Sequence, residues 1–217
     1  MTASTIDIAI VDDHALFRNG LKLLLGNVSG FRIVAEASNG SEFIGLIDNG
    51  LNPDVVLMDI NMPVMDGIEA TRQTIARLPH TKVIALSMFG EEDYYFKMID
   101  AGIKGFLLKN SEINDVTEAI RQVSIGNSYF SQELLYNVIK NFHPHKESEN
   151  ETAALSKREL QVLQEICKGL SNQEIADNLF ISKRTVDKHR ANLLSKTNSK
   201  NTANLIMYAI KNKLISI

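Results

Sequence analysis

The sequence is poor in the features that build several protein classes. One cysteine, Cys167, in 217 residues has no partner for an intramolecular disulfide, which excludes a disulfide-stapled scaffold. It falls in the apolar row Leu160, Leu163, Cys167, Leu170 of a predicted helix, so it reads as a buried core thiol. Four prolines and 12 glycines exclude collagen and Pro/Gly-rich low complexity. No apolar run approaches the roughly 18 residues of a membrane span. Residues 1–7 lack a basic stretch followed by an apolar one, so no export signal is read there. The expected location is the cytoplasm, with no membrane partner. Tryptophan is absent, yet 44% hydrophobic and 23% charged residues are ordinary for a soluble globular protein and exclude disorder. No internal repeat is visible.

The formal charge of −3 conceals an asymmetry. Residues 1–141 carry a net −7, residues 142–154 a net −2 and residues 155–217 a net +6. A basic terminal module of this size is the electrostatic footprint of a polyanion binder, most often of nucleic acid. The length fits one large domain or two smaller ones, and the charge split favours two. Domains are expected at 1–125 and 155–217, joined by a short helix and linker over 126–154.

Within the first domain, short β-branched runs at 6–11, 31–35, 55–58, 82–86 and 105–108 alternate with helix-length amphipathic stretches. Examples of the helical periodicity are Leu16, Gly20, Leu23, Leu24 and Met98, Ile99. Five βα units imply a parallel sheet with helices on both faces, and the continuously apolar Val55-Val56-Leu57-Met58 reads as a strand buried on both sides. In such sheets function gathers at the carboxyl ends of the strands, near the topological switch point. The fifth helix is expected at about 112–125 and a short helix at 131–141. The polar segment 142–151 reads as a linker, and its His143 and His145 as solvated residues without a metal-site pattern.

Beyond the linker the pattern is helical throughout. Ser156-Lys157-Arg158-Glu159 and Ser171-Asn172-Gln173-Glu174 each match the S-x-x-E capping box. Four helices are expected at about 156–168, 172–179, 182–196 and 201–212, with Gly169 closing the first.

Three carboxylates converge at the strand ends of the first domain. Strand one ends in Val11-Asp12-Asp13, and strand three in Met58-Asp59-Ile60-Asn61. Three negative charges within a few ångströms repel by several kcal/mol at an effective dielectric near 20, so the site calls for a cation. An all-oxygen set with few protein ligands suits Mg²⁺. Strands four and five end in Ser87 and Lys109, which put a hydroxyl and an ammonium on the same rim. Together they form a shell suited to a phosphoryl group. Each residue singly has a plainer reading as a helix cap or surface charge; together, at four of five strand ends, they point to one site.

These residues lie in segments that resemble a known family. Val11-Asp12-Asp13, Met58-Asp59-Ile60-Asn61-Met62-Pro63-Val64-Met65-Asp66-Gly67, Ala85-Leu86-Ser87 and Ala101-Gly102-Ile103-Lys104-Gly105-Phe106-Leu107-Leu108-Lys109 resemble the receiver domain of two-component response regulators. The resemblance covers about the first 125 residues. It implies a flavodoxin-like five-stranded sheet in the order 2-1-3-4-5, with Asp59 accepting a phosphoryl group from a phosphohistidine of a sensor histidine kinase. It further implies that Asp13, Asp59 and the backbone carbonyl of Asn61 ligate Mg²⁺, with Asp12 acting largely through water. Lys109 would pair with the phosphoryl oxygens, Ser87 would move to bond the phosphate, and Phe106 would rotate inward as a switch. One departure is Asn110, where many receivers have proline, so no cis peptide is expected at that bond.

In the basic module, the helix at 172–179, the turn Phe180-Ile181 and the helix opening at Ser182 form a helix-turn-helix pattern. The second helix turns Val186, Leu193 and Leu194 inward and leaves a polar, basic face that can lie in a major groove. The runs Leu155 to Leu163, Gly169 to Ala176 and Ser182 to His189 resemble the LuxR-type DNA-binding domain, and the whole chain thus resembles a NarL/FixJ-type transcriptional regulator. This implies binding to double-stranded promoter DNA, with Asp187, Lys188 and Ala191 facing bases and Arg184, Thr185, Arg190 and Lys196 contacting phosphates. Lys183 belongs to the same DNA-binding set, and His189 is left without a role. The resemblance also implies a homodimer when phosphorylated or DNA-bound, formed through the last helix near 201–211.

The chain is therefore expected to be a phosphorylation-dependent DNA-binding regulator and not a turnover enzyme. The rival from another class is a phosphohydrolase with Asp59 as nucleophile, but that chemistry needs a second carboxylate two residues on, where this chain has Asn61. A phosphorylation-independent DNA binder would ordinarily have lost one of Asp13, Asp59 and Lys109, and all three are present.

Overall fold

The computed structural model describes residues 5–88, 92–130, 155–212 and 214–215. The chain divides into two units, Met1–Ser131 and Gln132–Ile217. The expected helix at 131–141 and the linker with His143 and His145 lie outside the described residues.

The first unit alternates strand and helix five times: β1 (Ile6–Val11), α1 (Ala15–Gly26), β2 (Phe31–Ala37), α2 (Gly40–Asp48), β3 (Val55–Asp59), α3 (Gly67–Arg77), β4 (Lys82–Ser87), α4 (Glu92–Ala101), β5 (Gly105–Leu108) and α5 (Ile113–Ser124). The strands form one parallel sheet in the order β2-β1-β3-β4-β5. β3 is buried at every position, as its unbroken apolar run requires of a strand covered on both faces. Ile8, Ile10, Val55, Leu57, Ile84 and Leu86 pack against Val116, Ile120 and Val123 of α5 in one continuous core.

The orientation of α1 departs from the sequence reading. The row Leu16, Leu23, Leu24 is exposed, at 89, 70 and 50%, while Leu21 and Leu25 are buried and Phe17 packs against the core. The segment Leu-Phe-Arg-Asn-Gly-Leu-Lys-Leu-Leu-Leu carries two apolar rows, and the one spaced Phe17, Leu21, Leu25 covers the sheet because i, i+4 residues share a face.

The second unit contains α6 (Lys157–Cys167), α7 (Asn172–Asn178), α8 (Lys183–Lys196) and α9 (Thr202–Lys211). Both expected capping boxes form: Ser156 and Ser171 accept from the amides of Glu159 and Glu174, whose carboxylates return to the cap backbone. Ser182 and Asn201 cap α8 and α9. Gly169 follows α6 with φ +80°, a left-handed turn that glycine enters without strain. The core here is Val162, Leu163, Ile166, Ile175, Val186, Leu193, Leu205 and Ile206. Cys167 is half-buried at its edge, and burial pushes its thiol up to about 12, which suppresses the reactive thiolate.

Candidate functional site

Asp12 and Asp59 emerge side by side from the ends of β1 and β3, adjacent strands of the sheet. Both are buried, Asp59 at 3% exposure. One ligand atom each of Asp12, Asp13, His14 and Asp59 can be chosen so that all lie within 4.8 Å of one another. His14 follows the two acids in the sequence; its Nδ1 is 2.9 Å from Asp13 Oδ1 and 3.5 Å from Asp12 Oδ1. The sequence signal for it was only its place beside the two acids.

Lys109 closes the pocket from the end of β5. Its Nζ lies 2.9 Å from Asp12 Oδ2 and 2.9 Å from Asp59 Oδ2, and 5.3 Å from the centre of the Phe17 ring. Phe17, on the core-facing row of α1, is a neighbour that the motif did not disclose. The opposite oxygen, Asp59 Oδ1, accepts from the Ile60 amide at 2.8 Å.

The electrostatics are those of a crowded acidic site. Burial, reinforced by the Asp12 charge and opposed by Lys109, pushes the Asp59 carboxyl up to about 6. Burial works against the Lys109 ammonium, but its bonds to Asp12 and Asp59 outweigh that and hold its pKa above the usual lysine value. The Oδ2 atoms of Asp12 and Asp59 are sealed from solvent and share the single Lys109 ammonium. Buried carboxylate oxygens left in that state suit a hard, oxygen-preferring divalent cation.

The loop after β3 supports this pocket. Gly67 opens α3 behind the Asp66 cap, and its N–H donates to the Ile60 carbonyl at 2.8 Å. A Cβ at Gly67 would lie 1.9 Å from the Asp59 carbonyl oxygen, so only glycine lets α3 approach the acid's backbone. Val64 adopts φ +68° within a tight turn closed by the Met65 N–H to Pro63 carbonyl bond at 2.8 Å. A β-branched residue at positive φ is strained, and such strain gathers in functional loops.

Ser87 ends β4, buried, with its hydroxyl donating to the Met88 carbonyl at 3.0 Å. Phe106 lies in β5 opposite Ala85, at 3% exposure. Its ring meets the edge of Tyr95 on α4 at 4.7 Å and 77°. The Lys109 N–H donates to the Ser87 carbonyl at 2.7 Å, which joins the two rim residues through the backbone.

In the second unit, α7 and α8 are joined by the turn at Phe180, which has φ +53° and is 94% exposed. Lys183, Arg184, Asp187, Lys188 and Ala191 are exposed on α8, with Thr185 half-buried beside them. Asp187 Oδ1 accepts from Asn172 Nδ2 of α7 at 2.6 Å. Two of the expected phosphate contacts have partners inside the domain. Arg190 donates to Thr202 Oγ1 of α9 at 2.7 Å, and Lys196 lies 2.8 Å from the buried Glu159 of α6. That ammonium, with the Ser156 amide, holds the Glu159 carboxyl down at about 2. Helical periodicity cannot reveal such ties, because both partners lie on other helices. Among the described residues no helix is long and apolar enough to cross a membrane.

Comparison with known proteins agrees with this architecture. The response regulator receiver domain family matches residues 8–121, and the luxR family of bacterial regulatory proteins matches residues 153–209. The chain is 36% identical to the transcriptional regulatory protein DegU of Brevibacillus brevis, over 98% of this chain and 96% of that protein. It is 35% identical to the oxygen regulatory protein NreC of Staphylococcus epidermidis, over 96% and 98%. Among solved structures, the response regulator ChrA of a heme-sensing two-component system covers 98% of this chain and 100% of its own at 31% identity, with a TM-score of 0.54. With an acidic pocket at the strand ends of one unit and an exposed helix-turn-helix in the other, the chain belongs to the NarL/FixJ-type response regulators and is a phosphorylation-dependent transcriptional regulator of a two-component system.

Proposed function

We propose that Asp59 is the phosphoacceptor and that a sensor histidine kinase is the donor. The observation that carries this is the buried Asp59 carboxylate, set between Asp12 and Lys109 at the end of β3. In the transfer, an Asp59 oxygen attacks phosphorus, the phosphorus–nitrogen bond of the phosphohistidine breaks, and the imidazole leaves. A carboxylate is a weak nucleophile, so positioning and charge neutralisation supply the catalysis. Lys109, held by two carboxylates, is placed to bond the oxygens of the incoming group. Mg²⁺ held by Asp13, Asp59 and the Asn61 carbonyl, with Asp12 acting through water, would neutralise further charge on that group. Two buried carboxylates sharing one ammonium support this assignment.

Once Asp59 is modified, the Ser87 hydroxyl exchanges the Met88 carbonyl for a phosphate oxygen; Phe106 is already buried against Tyr95, so in place of the expected inward rotation its part is to hold that packed position, and the exchange biases a two-state surface on α4 and β5. The output is binding of α8 in the major groove of promoter DNA by a homodimer formed when phosphorylated or DNA-bound. In this reading Arg184 and Thr185 contact phosphates, Asp187, Lys188 and Ala191 face base edges, and Lys183 belongs to the same DNA-binding set; the exposure of Lys183, Arg184, Asp187, Lys188 and Ala191 supports it. Arg190 and Lys196 reach phosphate only by exchanging Thr202 and Glu159 for it. The domain limits 1–125 and 155–217 are part of this reading, as is the view that the chain is not a turnover enzyme.

The test is labelling with acetyl phosphate and Mg²⁺, combined with affinity for a duplex selected from random sequence. Wild type is expected to take up one phosphoryl group and to bind DNA more tightly or dimerise, and Asp59→Asn to do neither. Labelling that survives in Asp59→Asn defeats the assignment.

A further inference from the structure

β5 is an edge strand, yet its outer side is covered where Phe106 sits. The Tyr129 N–H donates to the Lys104 carbonyl at 2.8 Å, and the Phe106 N–H donates to the Tyr129 carbonyl at 2.9 Å. These two bonds bracket Gly105 in a single parallel bridge. Tyr129 lies beyond the end of α5, in the stretch that the sequence reading assigned to the connector. Its ring packs against the same core cluster that α5 and the sheet build.

Gly105 makes this approach possible. A Cβ there would lie 3.3 Å from the Tyr129 carbonyl oxygen and 3.1 Å from Ile84 Cγ1, so the connector backbone and the β4 side chain both press on the glycine. The same short stretch of β5 therefore carries the bridge, the Phe106 ring against Tyr95 of α4, and, at its end, Lys109 in the acidic pocket. In sequence, Tyr129 and Phe130 precede residues 131–154, which connect to the DNA-binding unit.

We propose that Tyr129 is a positioning residue of the phosphorylation response. Its backbone ties the start of the interdomain connector to β5 at Lys104 and Phe106, so a rearrangement of β5 reaches the connector through this bridge. A switch acts at a distance only when an element with two arrangements is biased at one end and read at the other. The bridge is the bonded link between the strand that is biased and the segment that leads to the reader. The proposal rests on the reading of Asp59 as phosphoacceptor and Phe106 as switch residue.

The experiment uses the full chain. Tyr129→Pro removes the N–H that bonds Lys104, one of the two bonds of the bridge, whereas Tyr129→Phe keeps both. Each is assayed for labelling by acetyl phosphate with Mg²⁺ and for DNA affinity with and without that donor. Tyr129→Pro is expected to label within twofold of wild type but to lose at least two thirds of the affinity gain that phosphorylation gives wild type. Tyr129→Phe is expected to retain that gain. An undiminished gain in a labelled Tyr129→Pro overturns the proposal. A wild type that neither labels nor gains affinity overturns the phosphoacceptor reading and this proposal with it. If Tyr129→Pro fails to fold, amide exchange at Phe106 in wild type decides: phosphorylation should change its protection at least threefold, and unchanged protection overturns the proposal.

Discussion

Asp59→Asn should stabilise the receiver unit when divalent cations are removed, although it abolishes phosphorylation. Asp59 loses its proton at 3.8 in its ordinary state and at about 6 in the folded pocket. Between these values the folded state holds the proton that the unfolded state has released, so stability falls as pH rises through the interval. At about 1.4 kcal/mol per pH unit, that interval corresponds to about 3 kcal/mol of stability lost by pH 7. Asparagine keeps the shape and removes the charge, and Lys109 keeps its 2.9 Å pairing with Asp12. The raised value already includes the opposing pull of Lys109; imperfect bonding of the buried amide offsets part of the gain, which leaves an expected stabilisation of about 1 to 3 kcal/mol. In calorimetry of chelator-treated full chain at pH 7.5, the receiver transition should rise by roughly 4 to 10 °C. The difference between variant and wild type should vanish below about pH 3.8 and level off above about 6.5. Millimolar Mg²⁺ should raise wild type toward the variant, because ligand that binds only the folded state stabilises it. A variant that melts below wild type in chelator, or a difference that ignores pH, would refute the argument.

Lys109→Met should have the opposite effect. It leaves Asp12 and Asp59 facing one another without a cation and should destabilise the receiver by about 3 to 5 kcal/mol in chelator, measured by the same calorimetry; adding Asp59→Asn should restore much of the loss. Gly67→Ala should slow labelling by acetyl phosphate at least tenfold, because a Cβ 1.9 Å from the Asp59 carbonyl oxygen must displace the phosphoacceptor's backbone; labelling at the wild-type rate would show that α3 can retreat freely. Glu159→Gln should destabilise the DNA-binding unit by about 1 to 2 kcal/mol at pH 7, a figure reduced for the solvent around Lys196. The depressed Glu159 pKa makes that contribution fully present above about 4.5 and lost as pH falls toward about 2, so acid unfolding followed by circular dichroism should show variant and wild type converging in that window.

Local chemistry was legible where the interacting groups lie close along the chain. Ser156 with Glu159 and Ser171 with Glu174 formed the capping boxes their spacing announced, because a cap joins residues three apart. The unbroken apolar run of β3 marked a strand covered on both faces. The helix α1 was harder, since its two apolar rows compete and only the sheet selects between them: Leu21 and Leu25 are covered while Leu16 and Leu23 stay in solvent. The cysteine row of α6 was half right, with Leu163 in the core and Cys167 at its edge.

Local sequence signals specify the alternation of strand and helix, the acids, hydroxyl and lysine at the strand ends, and the basic helix-turn-helix module. Each is written in periodicity, caps or charge, which act over a few residues. Tertiary structure decided which of these groups meet. Packing β1 beside β3 brings Asp12 to Asp59, and the reach of Lys109 across from β5 places one ammonium 2.9 Å from both. It also drew Phe17 under that ammonium, turned Lys196 toward Glu159, and laid Tyr129 along β5 beside a glycine. These pairings join residues far apart in the chain, so they arise from the close packing of whole elements, which no local pattern encodes.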